Sequence, residues 1–226
     1  DHRDLHSFPT RRSSDLLGEA DFLVAACNQQ AIQWLDRWPN WPAPALTVHG
    51  PAGCGKTHLA RVFAARSGAP VILAADLTTD QVPAQLGAAH AAVVDDADRA
   101  GAEALLHLYN VLAERQGHLL LTAQTPPARW PDLLPDLRSR LAAAPAVAVE
   151  APDEALLAAL LVKLFADRQV AVGDEVVLFL ARQIERSFEA ARRVVAELDA
   201  AALRQQRGIT IPLARGILGL RGPETE

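Results

Sequence analysis

The 226-residue sequence contains no methionine, not even at position 1, which predicts a fragment or an altered sequence. Cysteine is nearly as scarce. Cys27 and Cys54 are the only two, and they sit in unrelated contexts without metal-ligand spacing. That excludes a disulfide framework and a cysteine-built zinc site, and the expectation is a reduced, cytoplasmic protein. No apolar run approaches the roughly 20 residues needed to cross a bilayer, and nothing has the pattern of a signal peptide, so no membrane association is expected. Positive charge is not in excess either. Lys and Arg total 22 against 27 Asp and Glu, for a net charge of −5. Without a basic domain, duplex nucleic acid is not the expected main ligand. What the chain does have is apolar residues, 50% of the total and rich in alanine, enough for a core with abundant helix. The length suits one α/β core and a small second domain.

The most informative stretch is Gly50-Pro51-Ala52-Gly53-Cys54-Gly55-Lys56-Thr57. It fits the phosphate-loop spacing of Gly, four residues, Gly-Lys-Thr. Ala45–His49 before it reads as a short buried strand, and Thr57–Arg66 after it as a helix. Strand, glycine loop and helix together are the context this motif requires. Glycines let backbone N–H groups turn inward around a phosphate, and the helix N-terminus adds favourable partial charge. Lys56 has the reach to contact β- and γ-phosphates, and the Thr57 hydroxyl is a ligand for Mg2+. Cys54, inside the loop, is read as filling space.

Two further apolar strands follow, at 70–75 and at Ala91-Ala92-Val93-Val94-Asp95-Asp96. A strand ending in acids is the usual companion of a phosphate loop, since a carboxylate there holds Mg2+ directly or through water. Asp95 is the better metal candidate. Asp96 stands where a base would orient attacking water, or else caps the next turn. After a helix over 101–116, residues 118–124 form a fourth strand whose C-terminal end carries Thr122 and Gln124. That end faces the ligand in parallel sheets, so either side chain is placed to hydrogen-bond a γ-phosphate. A short helix over 133–141 carries Arg138 and Arg140, and a fifth strand follows at 146–149. Alternating strands and helices predict an α/β fold with a doubly wound parallel sheet.

Residues 1–16 have neither helical nor strand periodicity and resemble a translated sequencing adapter, so they are expected to be a non-native tail. The nucleotide-binding domain is expected over 17–150. It opens with Phe22-Leu23-Val24 and a helix from Asn28, a plausible cap, to Trp38. The tryptophans that follow are read as core. After Pro152 only helical signals remain, with starts at Asp153-Glu154, Gly173-Asp174, Glu185 and Thr210-Ile211-Pro212. This predicts a small all-α lid domain over 151–222.

The loop Gly50–Thr57 with His58-Leu59, the strand end Val93-Val94-Asp95-Asp96, Leu137-Arg138-Ser139-Arg140-Leu141 and the helical lid together resemble the AAA+ module of the DnaA-related family. Pro135-Asp136-Leu137, Ser139-Arg140-Leu141 and Leu203–Leu220 are most similar to its Hda branch, the regulatory inactivators of initiation. The resemblance covers about 17–220. It implies a P-loop AAA+ module with a five-stranded parallel sheet, ADP or ATP with Mg2+ as cofactors, and DnaA as partner. It also implies residue roles. Phe22, Val24 and Asn28 match the segment that cradles adenine. Gly50 to His58 match the phosphate contacts, and Thr57 with Asp95 the metal contacts. Asp96 and Gln124 match catalytic and first-sensor positions; the family's initiator carries Asp at the latter, which implies weak hydrolysis by this chain itself. Arg140 matches the arginine finger acting on a neighbour's nucleotide, and Arg186 the second-sensor arginine. The family docks on the DNA polymerase sliding clamp through a Gln-Leu-x-Leu motif, and none precedes Leu17 here. DnaA's basic DNA-binding domain has no counterpart before Glu226, so sequence-specific DNA binding is not expected.

Three functions stay open on these residues. The first is a regulator that stimulates ATP hydrolysis on DnaA through Arg140. The second is a nucleotide-switched binding module without catalysis. The third is a stand-alone ATPase that loads a helicase or serves transposition.

Overall fold

The computed structural model describes residues 24–220. The expected tail over 1–16, the start of the domain and Phe22 lie outside the described residues. Five strands form one sheet: β1 (Ala45–His49), β2 (Val71–Leu73), β3 (Ala91–Asp95), β4 (His118–Ala123) and β5 (Ala146–Ala148). Every pairing is parallel, and the order across the sheet is β2-β3-β4-β1-β5. The strands are runs of Val, Leu and Ala because both faces of a parallel sheet are covered.

Side-chain alternation assigns those faces. Ala92, Val94, Leu119 and Leu121 point into one apolar cluster, while Ala91, Val93 and Leu120 point into the other. The first face packs against α3 (Val82–Leu86), α4 (Ala102–Glu114) and α5 (Pro135–Ala143), contributing Leu86, Leu105, Leu108 and Leu137. The second packs against α1 (Ala26–Asp36) and α2 (Lys56–Ser67), with Leu35, Leu59 and Phe63 at its centre. Of the tryptophans expected in the core, Trp41 is buried, and Trp34 and Trp38 are half-buried against the same cluster. Trp41 stacks on Phe63 with ring centroids 5.4 Å apart, and Trp38 meets the same ring edge-on at 5.7 Å.

Four helices follow the sheet: α6 (Glu154–Asp167), α7 (Asp174–Gln183), α8 (Phe188–Gln205) and α9 (Ile211–Ile217). Leu157, Leu161, Phe165, Leu180, Val195 and Leu198 give them an apolar core of their own. The Asp153 carboxylate accepts the Leu156 N–H at 2.7 Å and caps α6, and the Ser187 hydroxyl accepts the Ala190 N–H at 3.0 Å and caps α8. The five-stranded parallel α/β sheet and the helical lid are those the sequence predicts.

Local differences have local causes. The second strand is three residues long, since the chain turns at Ala74–Asp76 into a single 3-10 turn. The first helix starts at Ala26, not Asn28. Asn28 is therefore no N-cap: it lies in the first turn and its Oδ1 accepts the Ala25 N–H at 2.9 Å. α8 starts at Phe188 rather than Glu185, because Ser187 is extended at φ −141° and caps it.

Candidate functional site

The strand order brings the site together. β4 lies between β1 and β3, so the loop after β1 and the acidic end of β3 are separated by one strand width. In register, Val48 pairs with Thr122 and Val94 with Leu121, which brings Asp95 level with Thr122. All three C-terminal strand ends open on the same side of the sheet.

The loop after β1 is held by close backbone approaches. A Cβ on Gly50 would stand 2.0 Å from the Val149 carbonyl oxygen, so only glycine fits. Gly53 adopts φ +70°, and a Cβ there would stand 2.6 Å from Ser187 Cβ. The Phe188 N–H donates to the Gly53 carbonyl at 2.9 Å, so the start of α8 docks directly on the loop. Pro51 and Ala52 are exposed, and Gly55 is the N-cap of α2. Lys56 is 6% exposed. Its Nζ donates to the Gly50 carbonyl at 2.9 Å and the Pro51 carbonyl at 2.8 Å. Cys54 is buried, and burial pushes its thiol pKa up despite the neighbouring Lys56 charge, so it stays protonated and packs. His58 is half-buried in the first turn of α2.

Thr57 and Asp95 meet across the sheet. The Thr57 hydroxyl donates to Asp95 Oδ2 at 3.0 Å, and Thr122 donates to Asp95 Oδ1. These are hard oxygen groups of the kind that bind Mg2+. Asp96 has left-handed backbone at φ 57°, and its N–H donates to Thr122 Oγ1 at 3.0 Å. Its side chain makes no capping bond to the 3-10 turn that follows. Gln124 is exposed just beyond β4, and its N–H donates to Asp98 Oδ2 at 3.1 Å. Asp98 escaped the sequence reading. It is an acid two places past the strand-ending pair, and no spacing rule singles it out. Ser187 and Phe188 were also missed, although a serine just before an alanine-rich helical run is a capping signal.

The remaining candidates come from other elements. Val24 is 50% exposed at the start of the described chain. Asn28 is buried on α1, and α1 is tied to the end of the sheet by the Glu150 N–H donating to the Cys27 carbonyl at 2.9 Å. Arg186 is exposed, and it precedes α8 instead of lying on it with Arg192 and Arg193. Arg140 stands on α5 at the surface. Its Nε donates to Asp136 Oδ1 at 2.9 Å, and its guanidinium lies over the Tyr109 ring, 5.3 Å from the centroid. Among the described residues no helix is long and apolar enough to cross a membrane.

Comparison with known proteins agrees with this architecture. The family model described as "Hda, lid domain" matches residues 153–218. Domain III of the replication initiation protein DnaA from Thermotoga maritima superposes with a TM-score of 0.74 at 18% identity, covering 88% of this chain and 93% of that one. AMPPCP-bound DnaA from Aquifex aeolicus gives a TM-score of 0.66 at 18% identity over 81% of this chain and 65% of that one. RuvB from Thermotoga maritima, described as a Holliday junction branch migration motor, gives 0.67 at 16% identity over 86% and 68%. At such identities the likeness is one of fold. The likeness to Hda is one of the lid, over residues 153–218.

Proposed function

We propose that this chain, a DnaA- and Hda-related AAA+ protein, binds ADP or ATP with Mg2+ at Gly50–Thr57 and stimulates hydrolysis of ATP held by DnaA. It would thereby act as a negative regulator of replication initiation. The observation that carries the nucleotide half is the 3.0 Å contact between the Thr57 hydroxyl and the Asp95 carboxylate beside a glycine loop. The Lys56 ammonium rests on two loop carbonyls, and a small movement exchanges them for phosphate oxygens. Thr57 and Asp95 would hold Mg2+, which would supply positive charge against the phosphates. Phe22, Val24, Asn28 and His58 are assigned to the adenine and phosphate margins by family resemblance. Asp96, Gln124 and Arg186 are assigned to the γ-phosphate and its water in the same way. Support also comes from solved DnaA structures described as bound to AMPPCP.

Arg140 carries the regulatory half. Its side chain is 37% exposed and reaches the surface of α5. Asp136 and Tyr109 restrain it, which lowers the entropy lost when it engages a second molecule. An arginine supplied in trans stabilises charge developing on phosphoryl oxygens, an effect worth roughly a thousandfold or more in rate. The test is to mix the chain with ATP-loaded DnaA and follow conversion to ADP in a single turnover. Acceleration supports the proposal. ATP that persists unchanged favours the non-catalytic module, which the direct hydrogen bond between lid and loop makes the second reading. Clamp docking stays a proposal from resemblance, and its segment would lie ahead of the described residues.

A further inference from the structure

Three elements converge on one carboxylate. Asp95 ends β3 and is 8% exposed. Thr57 from α2 donates to its Oδ2, and the fully buried Thr122 from β4 donates to its Oδ1. On its other side, Thr122 Oγ1 accepts the Asp96 N–H at 3.0 Å. A hydroxyl has one proton to give. An amide only donates and an ionised carboxylate only accepts, so the polarity of the chain is fixed: Asp96 N–H to Thr122, Thr122 to Asp95. Thr122 therefore has no proton left for a phosphate oxygen. Of the two residues at the end of β4 placed to contact a γ-phosphate, Gln124 is the one whose side chain stays available.

We propose that Thr122 is a positioning residue, acting on the nucleotide site through Asp95 and Asp96. It fixes the carboxylate that, on the function proposed above, holds Mg2+ together with Thr57. It also pins the amide of Asp96, whose left-handed backbone at φ 57° is a conformation few residues adopt without support. One hydroxyl thus sets the orientation of the metal-holding acid and the backbone of the acid beside it. Partners of this kind behind a metal ligand typically shift metal affinity by about tenfold to a hundredfold. The Thr57 proton also goes to Asp95, so its oxygen lone pairs remain free for a metal.

The test compares Thr122→Val, which keeps the shape and removes the hydroxyl, with Thr122→Ser, which restores it. On the full chain, the affinity for a fluorescent ADP analogue is measured in EDTA and across a Mg2+ titration. The expected result is that the parent chain and T122S bind more tightly with Mg2+, while T122V loses roughly tenfold or more of that gain and keeps its affinity in EDTA. A T122V protein with the full Mg2+ gain overturns the proposal. So does an equal loss in EDTA and in Mg2+, since that marks a general structural defect. If T122V does not fold, Thr122→Cys serves instead: its thiol is a weak donor, so an intermediate loss of the Mg2+ gain is expected and an undiminished gain contradicts the proposal. A parent chain that binds no nucleotide at all refutes the underlying function, whereas intact parent binding with an unchanged T122V refutes the role of Thr122 alone.

Discussion

The Phe188 N–H donates to the Gly53 carbonyl oxygen at 2.9 Å, so the first residue of α8 and the middle of the phosphate loop share a hydrogen bond. Beside it, the Ser187 hydroxyl caps α8, and the Ser187 side chain occupies the space a Cβ on Gly53 would need. The lid is therefore joined directly to the backbone of the phosphate loop.

Ser187 separates capping from ligand binding. Ser187→Ala removes the acceptor for the Ala190 N–H and is expected to cost about 1 kcal/mol, read as a lower urea midpoint. Ser187→Asp restores a capping oxygen and most of that stability, yet sets a negative charge beside Gly53. It should weaken nucleotide binding while Ser187→Ala does so less. Equal nucleotide affinity in the two variants would contradict the contact's importance to the site.

Lys56→Ala should leave the fold unchanged by circular dichroism. The Gly50 carbonyl it serves is buried and loses its donor, which should cost about 1–3 kcal/mol and lower the urea midpoint without changing the fold, while the exposed Pro51 residue can turn its carbonyl to water. Adenine-nucleotide affinity should fall by roughly tenfold to a hundredfold, the range for losing charged hydrogen bonds. Unchanged affinity would move the nucleotide site away from Gly50–Thr57.

Much of this was legible from residue order, because the informative signals are local. The glycine spacing at 50–57, the apolar runs on either side and the acids ending β3 each depend on a few consecutive residues. The meeting of Thr57, Thr122 and Asp95 was not legible in the same way. It depends on β4 inserting between β1 and β3, a choice made by packing across the whole sheet. Thr122 could be placed at the ligand end of a strand, but the direction of its proton could not. Asn28 was misplaced as a cap because it reaches back from inside the first turn, where a capping side chain has no distinct spacing. Arg186 was put on a helix that begins two residues later, since helix pattern alone does not reveal an extended Ser187. Asp98 gave no signal at all; its role emerges only from the Gln124 N–H it accepts.

Stability should fall on mild acidification. Burial lowers the pKa of His49, with Arg129 and Lys56 adding to the shift, and burial lowers that of His118 against an opposing hydrogen bond that its ring donates to the Pro39 carbonyl. In the unfolded chain both take up a proton as pH falls through about 6.5. The folded chain resists until lower pH, so the unfolded state binds more protons in between and gains ground. The contribution is complete above about pH 6.5 and is lost as pH drops toward the folded values. Urea midpoints measured from pH 7.5 to 5.5 should decline, and His118→Gln should flatten the slope. A slope identical in that variant would remove His118 as a cause.

The central claim is that Arg140 works on a nucleotide held by another molecule. The most direct measurement is single-turnover hydrolysis of ATP bound to DnaA, with the parent chain or Arg140→Ala added, alongside each protein's own affinity for ADP. Arg140 binds Asp136 and lies over Tyr109 at the surface, away from the Lys56, Thr57 and Asp95 cluster in its contacts. Arg140→Ala should therefore bind ADP as the parent does and lose the stimulation of DnaA by about a thousandfold, the low end for an arginine supplied in trans. Stimulation that survives the substitution, or ADP affinity that falls with it, would contradict the account.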